Sequence, residues 1–552
     1  MKIALSIAIA LSGLSSAALG QKVDSKKDSR ANIVLIMVDD MGYSDLGAYG
    51  SEINTPNIDR LAQSGVRFKE FYNNSICAPT RASLITGLHS HKAGIGYFDV
   101  NLGLPAYQGY LNHESLTFAE VLKSAGYSTL MSGKWHVGKD SLSWPNQRGF
   151  DKYYGIAGGA ANYFDAEPLP FGDKPYPVLL LKNNQRLHPK PNSYYFTDEI
   201  AKNAVEFLEE QNSENKPFFL YVAFTAPHWP LQALPEDIAR YRGHYDIGWD
   251  SLRVQRIARQ RTLGIIDSTQ TIAARDPEVP YWNKLTWDEQ HFWKAKMEVY
   301  AAMVDRMDQG VGKILDKIKT LKKAENTLVV FLSDNGAQGG FNSLNPRNRG
   351  LVKNAGPVGS AGSFDYQEQP WAYLSNTPLR QYKNNMHEGG FRTPFIASFS
   401  GKIKSGTIVK GTGHIIDLAP TFYELAHANY PAKVNGHDIN PLPGKSLLPV
   451  LLGQSDEVNR AGALFWERAG NRAVRKGAWK IVSTYPLYQW ELYNLEKDAG
   501  ETTNVADKYP LIVDKLSDEY FEWAKKTDVV EYEKIKPAGG FTIPGQSSNL
   551  AK

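Results

Sequence analysis

Asn32-Ile-Val-Leu-Ile-Met-Val38 runs directly into Asp39-Asp40-Met41-Gly42, and Thr327-Leu-Val-Val-Phe-Leu332 runs into Ser333-Asp334-Asn335-Gly336. Each is a short unbroken apolar run closed by polar turn residues, the pattern of a strand buried on both faces of a sheet. Two more runs are built alike: Pro217 to Thr225 leads into Pro227-His228, and Tyr127 to Met131 leads into Gly133-Lys134-Trp135-His136. In open α/β sheets ligands lie at the carboxyl ends of strands, so four runs ending in Asp, Asn, Lys and His predict one shared site.

Between these runs lie helical patterns at Asn57 to Ser64, Leu116 to Ala125, Asp198 to Gln211, and about Thr286 to Lys322. The alternation predicts an α/β fold, a large mixed and mostly parallel sheet sandwiched by helices. Residues 229–285, rich in Arg, Tyr and Trp, and 339–378, rich in Gly, Asn, Ser and Pro, read as long excursions over the site. From about residue 455 the style changes. Ala473 to Ser483 and Trp490 to Leu495 look like antiparallel strands and Pro510 to Lys526 like a helix, together a small C-terminal α+β subdomain. The expected organisation is a leader at 1–20, a catalytic domain at 31–450, a C-terminal antiparallel-sheet subdomain at 455–530 and a loose tail at 535–552.

Composition excludes several classes. With 552 residues, 42% hydrophobic and 22% charged, the chain buries a large core. A net charge of +4, or +3 without Lys2, gives no reason to expect a nucleic acid partner or a polybasic membrane patch. Met1-Lys2, the apolar stretch Ile3 to Leu19 and the small residues Ala18-Leu19-Gly20 before Gln21 read as an export signal, which predicts a periplasmic or secreted protein without membrane insertion. Cys77 is the single cysteine, so an intramolecular disulfide and a CxxC site are both impossible.

Asp39, Asp40, Asp334 and Asn335 supply oxygen donors from two strand ends, a set that suits a hard divalent cation, Ca²⁺ or Mg²⁺. Asp and Asn also serve as turn residues after strands, but two similar pairs together favour a metal. Spacing does not choose between the two ions.

Cys77-Ala-Pro-Thr-Arg81, continued by Ala82-Ser-Leu-Ile-Thr-Gly87, resembles the C-x-P-x-R motif of the type I sulfatases, in the alkaline phosphatase superfamily. The remaining motifs follow in the family's order: Asp39-Asp40, Gly133-Lys-Trp-His136, Pro227-His228, Asp334-Asn-Gly336, and Lys383 within Leu379 to Gly390. The resemblance spans about residues 30–510, including Trp466-Glu467, Gly477-Ala-Trp-Lys480 and Trp490-Glu-Leu-Tyr493, and looks closest to bacterial arylsulfatases through His228-Trp-Pro-Leu-Gln232, Tyr241 to Asp246 and Met386-His-Glu-Gly-Gly390. Asn384-Asn385 depart from what often follows the lysine, on the leaving-group side of the pocket.

The resemblance implies an alkaline phosphatase-like fold, hydrolysis of sulfate esters, one divalent cation with Ca²⁺ preferred over Mg²⁺, and a formylglycine (3-oxoalanine) made from Cys77 by a formylglycine-generating maturation enzyme. Asp39, Asp40, Asp334, Asn335 and the modified Cys77 would bind the metal; Lys134 and Lys383 would bind sulfate oxygens; Arg81 would hold the hydrated aldehyde. One hydroxyl of that hydrate would attack sulfur while His228 protonates the departing oxygen. His136, taking the proton of the second hydroxyl, would then let the aldehyde re-form and expel sulfate. The substrate is expected to be an aryl or carbohydrate sulfate ester. A phosphodiester or phosphonate monoester hydrolase of the same superfamily is the enzymatic alternative, and a non-catalytic binder of sulfated glycans the remaining one.

Other features carry less. His89 and His91 read as loop or helix-end residues rather than a metal pair, His387 and Asp417 are near-site candidates on the family resemblance alone, and the run Gly356, Gly359, Gly362 has no flanking strand and helix to make it a nucleotide site.

Overall fold

The computed structural model describes residues 29–167, 169–171, 174–189, 194–214, 216–339 and 355–536. The expected leader and most of the expected tail lie outside them. The central sheet is built from β1 (Asn32–Val38), β2 (Val66–Phe68), β3 (Ser128–Gly133), β4 (Lys152–Ile156), β5 (Leu180–Lys182), β6 (Gln185–Arg186), β7 (Phe218–Ala223), β8 (Thr327–Ser333), β9 (Phe395–Phe399) and β10 (Thr407–Val409). Among the described residues their order is β10-β2-β9-β8-β1-β7-β3-β4-β5-β6. The block β8-β1-β7-β3-β4 is parallel throughout, whereas β9 and β5 run antiparallel at its two flanks.

β1 explains why the sequence reads so clearly. Val34, Ile36 and Val38 enter one core with Ile200 and Ala204 of the helix Phe196–Gln211 and Met303 and Met307 of the helix Trp287–Thr320. Ile33, Leu35 and Met37 enter a second core with Ala82, Val121 and Phe422 on the opposite face. Successive side chains point to opposite sides of a strand, so a strand covered on both sides is apolar at every position. The mostly parallel, helix-covered sheet is as expected.

A second sheet follows: β11 (Leu464–Arg468), β12 (Asn471–Lys476), β13 (Trp479–Ser483) and β14 (Trp490–Asn494), each antiparallel to the next. Its alternating residues divide two interfaces. Val474, Ile481 and Leu492 pack on Leu516, Tyr520 and Trp523 of the helix Pro510–Lys526. Trp466, Ala473, Val482 and Tyr493 pack on Tyr72, Met386 and Phe391 of the larger unit. The indole of Trp466 stacks on Phe391 at 4.6 Å and donates to the Asn73 carbonyl, so it clamps the two units together.

The structure differs from the sequence reading in three places: within 339–378, of which 340–354 lie outside the described residues, Glu368–Ser375 forms a helix. Residues 229–285 are not simply irregular, since Gly248–Thr262 forms a helix of 15 residues. Its buried face carries Arg253, Arg256 and Gln260 beside Trp249, Leu252 and Ile257. Arg256 is satisfied by Asp45 and Glu52, Arg253 by the carbonyl of Tyr373, and Gln260 by that of Thr377, so polar residues hold positions that periodicity assigns to apolar ones. The stretch Ala473 to Ser483 is two strands, because Gly477 takes φ 57° and turns the chain between them.

Candidate active site

Four strand ends, β1, β8, β7 and β3, converge on one buried cluster. Cys77 is the first residue of the helix Cys77–Thr86, which is buried along its whole length. The local sequence accounts for the motif. Pro79 fits the first turn, where no intrahelical N–H bond is lost. Asn74 ties its side chain to the Pro79 carbonyl and Ser83 Oγ. Gly87, at φ 73°, caps the end by donating to the Ser83 carbonyl, and a Cβ there would stand 2.3 Å from Ala419 Cβ. Arg81 lies one turn beyond Cys77 on the same face.

From that helix Arg81 Nη2 reaches Asp334 Oδ2 at 2.8 Å and Asp39 Oδ2 at 3.4 Å. Lys134 Nζ contacts Asp39 Oδ2 at 2.6 Å and Lys383 Nζ contacts Asp40 Oδ1 at 2.5 Å. Asn335 Nδ2 donates to Asp40 Oδ1 at 2.6 Å, and the Asp40 N–H to Asp334 Oδ1 at 3.3 Å. His228 Nδ1 sits 2.7 Å from the Trp229 carbonyl, which only accepts, so Nδ1 carries the proton and Nε2 faces Asp40 Oδ2 at 3.6 Å. The strand end at Gly133 permits this convergence: at φ 121° its missing Cβ would meet the Ala223 carbonyl at 1.9 Å. Trp135 turns away and donates to the Ser143 carbonyl, while Lys134 and His136 face the cluster.

The electrostatics follow from burial and crowding. Burial raises the Asp39 pKa, but Lys134, His228, Arg81 and Lys383 outweigh it and hold the carboxyl far below the carboxylate range. Burial, with Asp39 alongside, pushes Asp334 up. Burial lowers His228 to about 4 and His136 to about 3, the latter reinforced by Lys134. Burial also raises the Cys77 thiol, so the unmodified side chain is a poor nucleophile at neutral pH.

The donor set fits a cation. Asp39 Oδ1, Asp40 Oδ2 and Asn335 Oδ1 are buried oxygens without a hydrogen-bond partner, which is costly unless something positive meets them. Among the described residues, the His, Cys, Asp and Glu ligand atoms gathered within 4.8 Å of one another are those of Asp39, Asp40 and His228. The structure thus adds His228 beside the cation position. It turns Asp334 toward Arg81 and leaves Cys77 outside that group.

Sequence reading missed one neighbour. Asp99 faces His136 Nε2 at 3.4 Å and Lys139 at 2.6 Å. It lies in an irregular segment, where no periodicity marks it. The secondary candidates have structural partners: His387 pairs with Glu491 of β14, Asp417 with Arg460 and the N–H groups of His414 and Lys445, and His91 with Glu467.

Carboxylates and an amide at the carboxyl ends of a mostly parallel sheet, ringed by Arg and Lys, suit a cation and a tetrahedral oxyanion. The comparisons give the family. The Sulfatase model matches residues 31–428 and the model for the N-sulphoglucosamine sulphohydrolase C-terminal region matches 381–526. The chain belongs to the sulfatase family and is a sulfuric ester hydrolase. It is 35% identical over 540 residues to an uncharacterized sulfatase of Schizosaccharomyces pombe, covering 93% of this chain and 96% of the relative. It is 35% identical over 430 residues to an arylsulfatase of Klebsiella aerogenes, covering 76% and 92%. Among solved structures, Ps i-CgsB in complex with k-i-k-neocarrahexaose is 27% identical with a TM-score of 0.66, covering 92% of this chain and all of that one. The phosphodiesterase alternative is not favoured. Among the described residues no helix is long and apolar enough to cross a membrane.

Proposed function

We propose that this sulfatase works through a formylglycine formed at Cys77 by a maturation enzyme, with Asp39, Asp40, Asp334 and Asn335 holding one divalent cation, Ca²⁺ ahead of Mg²⁺. The observation that carries this reading is the set of three unpartnered buried oxygens, on Asp39, Asp40 and Asn335. The cation would supply positive charge for the sulfate oxygens and lower the pKa of the nucleophile, and the formylglycine would supply a nucleophile able to release sulfate without a second attack at sulfur.

The residues of the chain then divide the work. Lys134 and Lys383 exchange carboxylate contacts for the oxygens of the bound ester and stabilise charge as it grows there. Arg81 fixes Asp334 and the side chain at position 77 from one turn away. His228, with Nδ1 committed to the Trp229 carbonyl, has only Nε2 to offer the departing oxygen; the negative charge of a bound ester raises its low pKa toward the protonated form. His136, held neutral by burial and Lys134, accepts the proton when sulfate is released, and Asp99 steadies the resulting imidazolium. The substrate is an aryl or carbohydrate sulfate ester, in keeping with an arylsulfatase relative and a neighbour that holds a neocarrahexaose. Export by the leader at 1–20 and a division of the chain at 31–450 and 455–530 complete the proposal.

Purified protein with Cys77 fully converted is expected to hydrolyse nitrophenyl sulfate, with Cys77→Ala slower by about three orders of magnitude or more. Faster turnover of bis-nitrophenyl phosphate than of the sulfate would overturn the assignment.

A further inference from the structure

Arg468 ends β11 with none of its surface exposed, and none of Nε, Nη1 and Nη2 has a hydrogen-bond partner. Its guanidinium lies over the ring of Tyr97 at 4.6 Å. A ring face offsets part of the lost hydration of a cation but satisfies none of its five N–H donors. Glu467 is next in sequence, yet its oxygens are engaged by His91 and the Gly470 N–H. Among the described residues no carboxylate pairs with Arg468.

The position of this charge gives it meaning. Tyr97 belongs to the same apolar cluster as Ile76, Cys77 and Ala469, and Phe98, the next residue, stands edge-on to His136 at 5.1 Å. Arg468 therefore lies against the apolar cluster that contains Cys77. A second, independent feature borders the same place. Asn384, directly after Lys383, donates its backbone N–H to the Ser75 carbonyl, two residues before Cys77. Both atoms of the Asn384 side-chain amide are buried without a partner, as is Ser75 Oγ. A guanidinium fork, an amide and a hydroxyl, all unpaired, thus belong to segments tied to Cys77 through the apolar cluster or the Ser75 backbone.

We infer that Arg468, with Asn384, forms a recognition subsite for the part of the substrate beyond the scissile bond, and that this part carries a second oxyanion, a carboxylate or another sulfate. The inference rests on the reading of Cys77 as the source of the nucleophile. A planar guanidinium binds either group through two parallel N–H bonds, and the amide serves a neighbouring hydroxyl. Tyr532 of the short helix Tyr532–Ile535 stacks on Tyr97 at 6.0 Å, so a ligand reaches Arg468 by shifting this aromatic pair and leaves the central sheet undisturbed.

Three esters separate the possibilities: phenyl sulfate, meta-carboxyphenyl sulfate and resorcinol bis-sulfate, with sulfate release followed on protein whose Cys77 is fully converted. Wild type is expected to show kcat/KM at least about ten-fold higher on one or both anionic esters than on phenyl sulfate, and which one names the second group. Arg468→Met is expected to erase that advantage through KM while changing phenyl sulfate by less than about three-fold, and Arg468→Lys to keep part of it. Equal turnover of all three esters by wild type would overturn the subsite while leaving the nucleophile intact, and needs no variant that folds. An equal loss on every ester in Arg468→Met would overturn it as well, by making Arg468 a packing residue. Hydrolysis of none of the esters would reject the reading of Cys77 and the subsite with it.

Discussion

Two of the buried ionic clusters among the described residues are finished differently. In the cluster between the two units, Lys480 Nζ sits 2.8 Å from both Glu388 Oε1 and Glu501 Oε1, Tyr72 OH donates to Glu388 Oε2 at 2.7 Å, and Arg475 pairs with Glu70 at 2.6 Å. No side-chain nitrogen or oxygen of Glu70, Glu388, Arg392, Arg475, Lys480 or Glu501 is orphaned there. In the cluster around Asp39 and Asp40, by contrast, three oxygens and both nitrogens of His136 lack hydrogen bonds. Both clusters cost desolvation. One recovers it within the chain and serves as structure; the other leaves buried polar atoms unpaired, as the proposed cation and substrate site requires. Satisfaction of hydrogen bonds, more than burial or charge, tells the two apart.

The comparison can be broken by substitution. The largest effect is expected from Cys77→Ala, a loss of about three orders of magnitude or more in sulfate release with only a small loss of thermal stability, since the change removes a single buried sulfur atom. Lys480→Met should do the reverse: about 3–5 kcal/mol of stability lost in urea titration, because Glu388 and Glu501 are left charged and unpaired, with the folded fraction still turning over substrate. Equal activity losses in both variants would erase the distinction. Trp466→Ala should cost about 3 kcal/mol or more by emptying the stack on Phe391.

Smaller effects sharpen it. A divalent cation at about a hundred times its Kd should stabilise the protein by about 2.7 kcal/mol, an increment that chelation removes and that Asp39→Asn abolishes while Lys480→Met keeps it. For acid, the sign follows from Glu388. Burial raises its pKa, but Lys480, Arg392 and Arg475 outweigh that and bring it to about 2 from 4.5. A folded-state value below the unfolded one means that the contribution to stability is full above about pH 4.5 and drains away as pH falls toward 2. The fluorescence of Trp466 should therefore report loosening of the second unit across that window, with the slope reduced in Lys480→Met.

How much of this was legible in the sequence depends on what each residue is buried against. β1, β3, β7 and β8 were readable because both of their faces meet apolar neighbours, and their polar ends named the site. The helix Gly248–Thr262 was hidden by Arg253, Arg256 and Gln260, whose partners Tyr373, Asp45, Glu52 and Thr377 come from distant segments that no local pattern reveals. The resemblance of the Cys77 segment pointed to the sulfatase family, and folding explains its residue choices through Pro79, Arg81 and Gly87. Asp99 and Arg468 were invisible for another reason. Each is a single charge in a loop or at a strand end, and only the fold brings Asp99 to His136 and Arg468 to Tyr97.

The most direct test of the central claim, that the unsatisfied cluster and Cys77 together hydrolyse sulfate esters, joins two readings on the same samples. Protein made with graded amounts of a formylglycine-generating enzyme is digested, the peptide Glu70 to Arg81 is weighed by mass spectrometry, and sulfate release from nitrophenyl sulfate is measured in parallel. The account predicts activity proportional to the fraction of Cys77 converted to the aldehyde, with none in the thiol form. Full activity in protein that retains the thiol, or no activity at full conversion with the cation supplied, would contradict it.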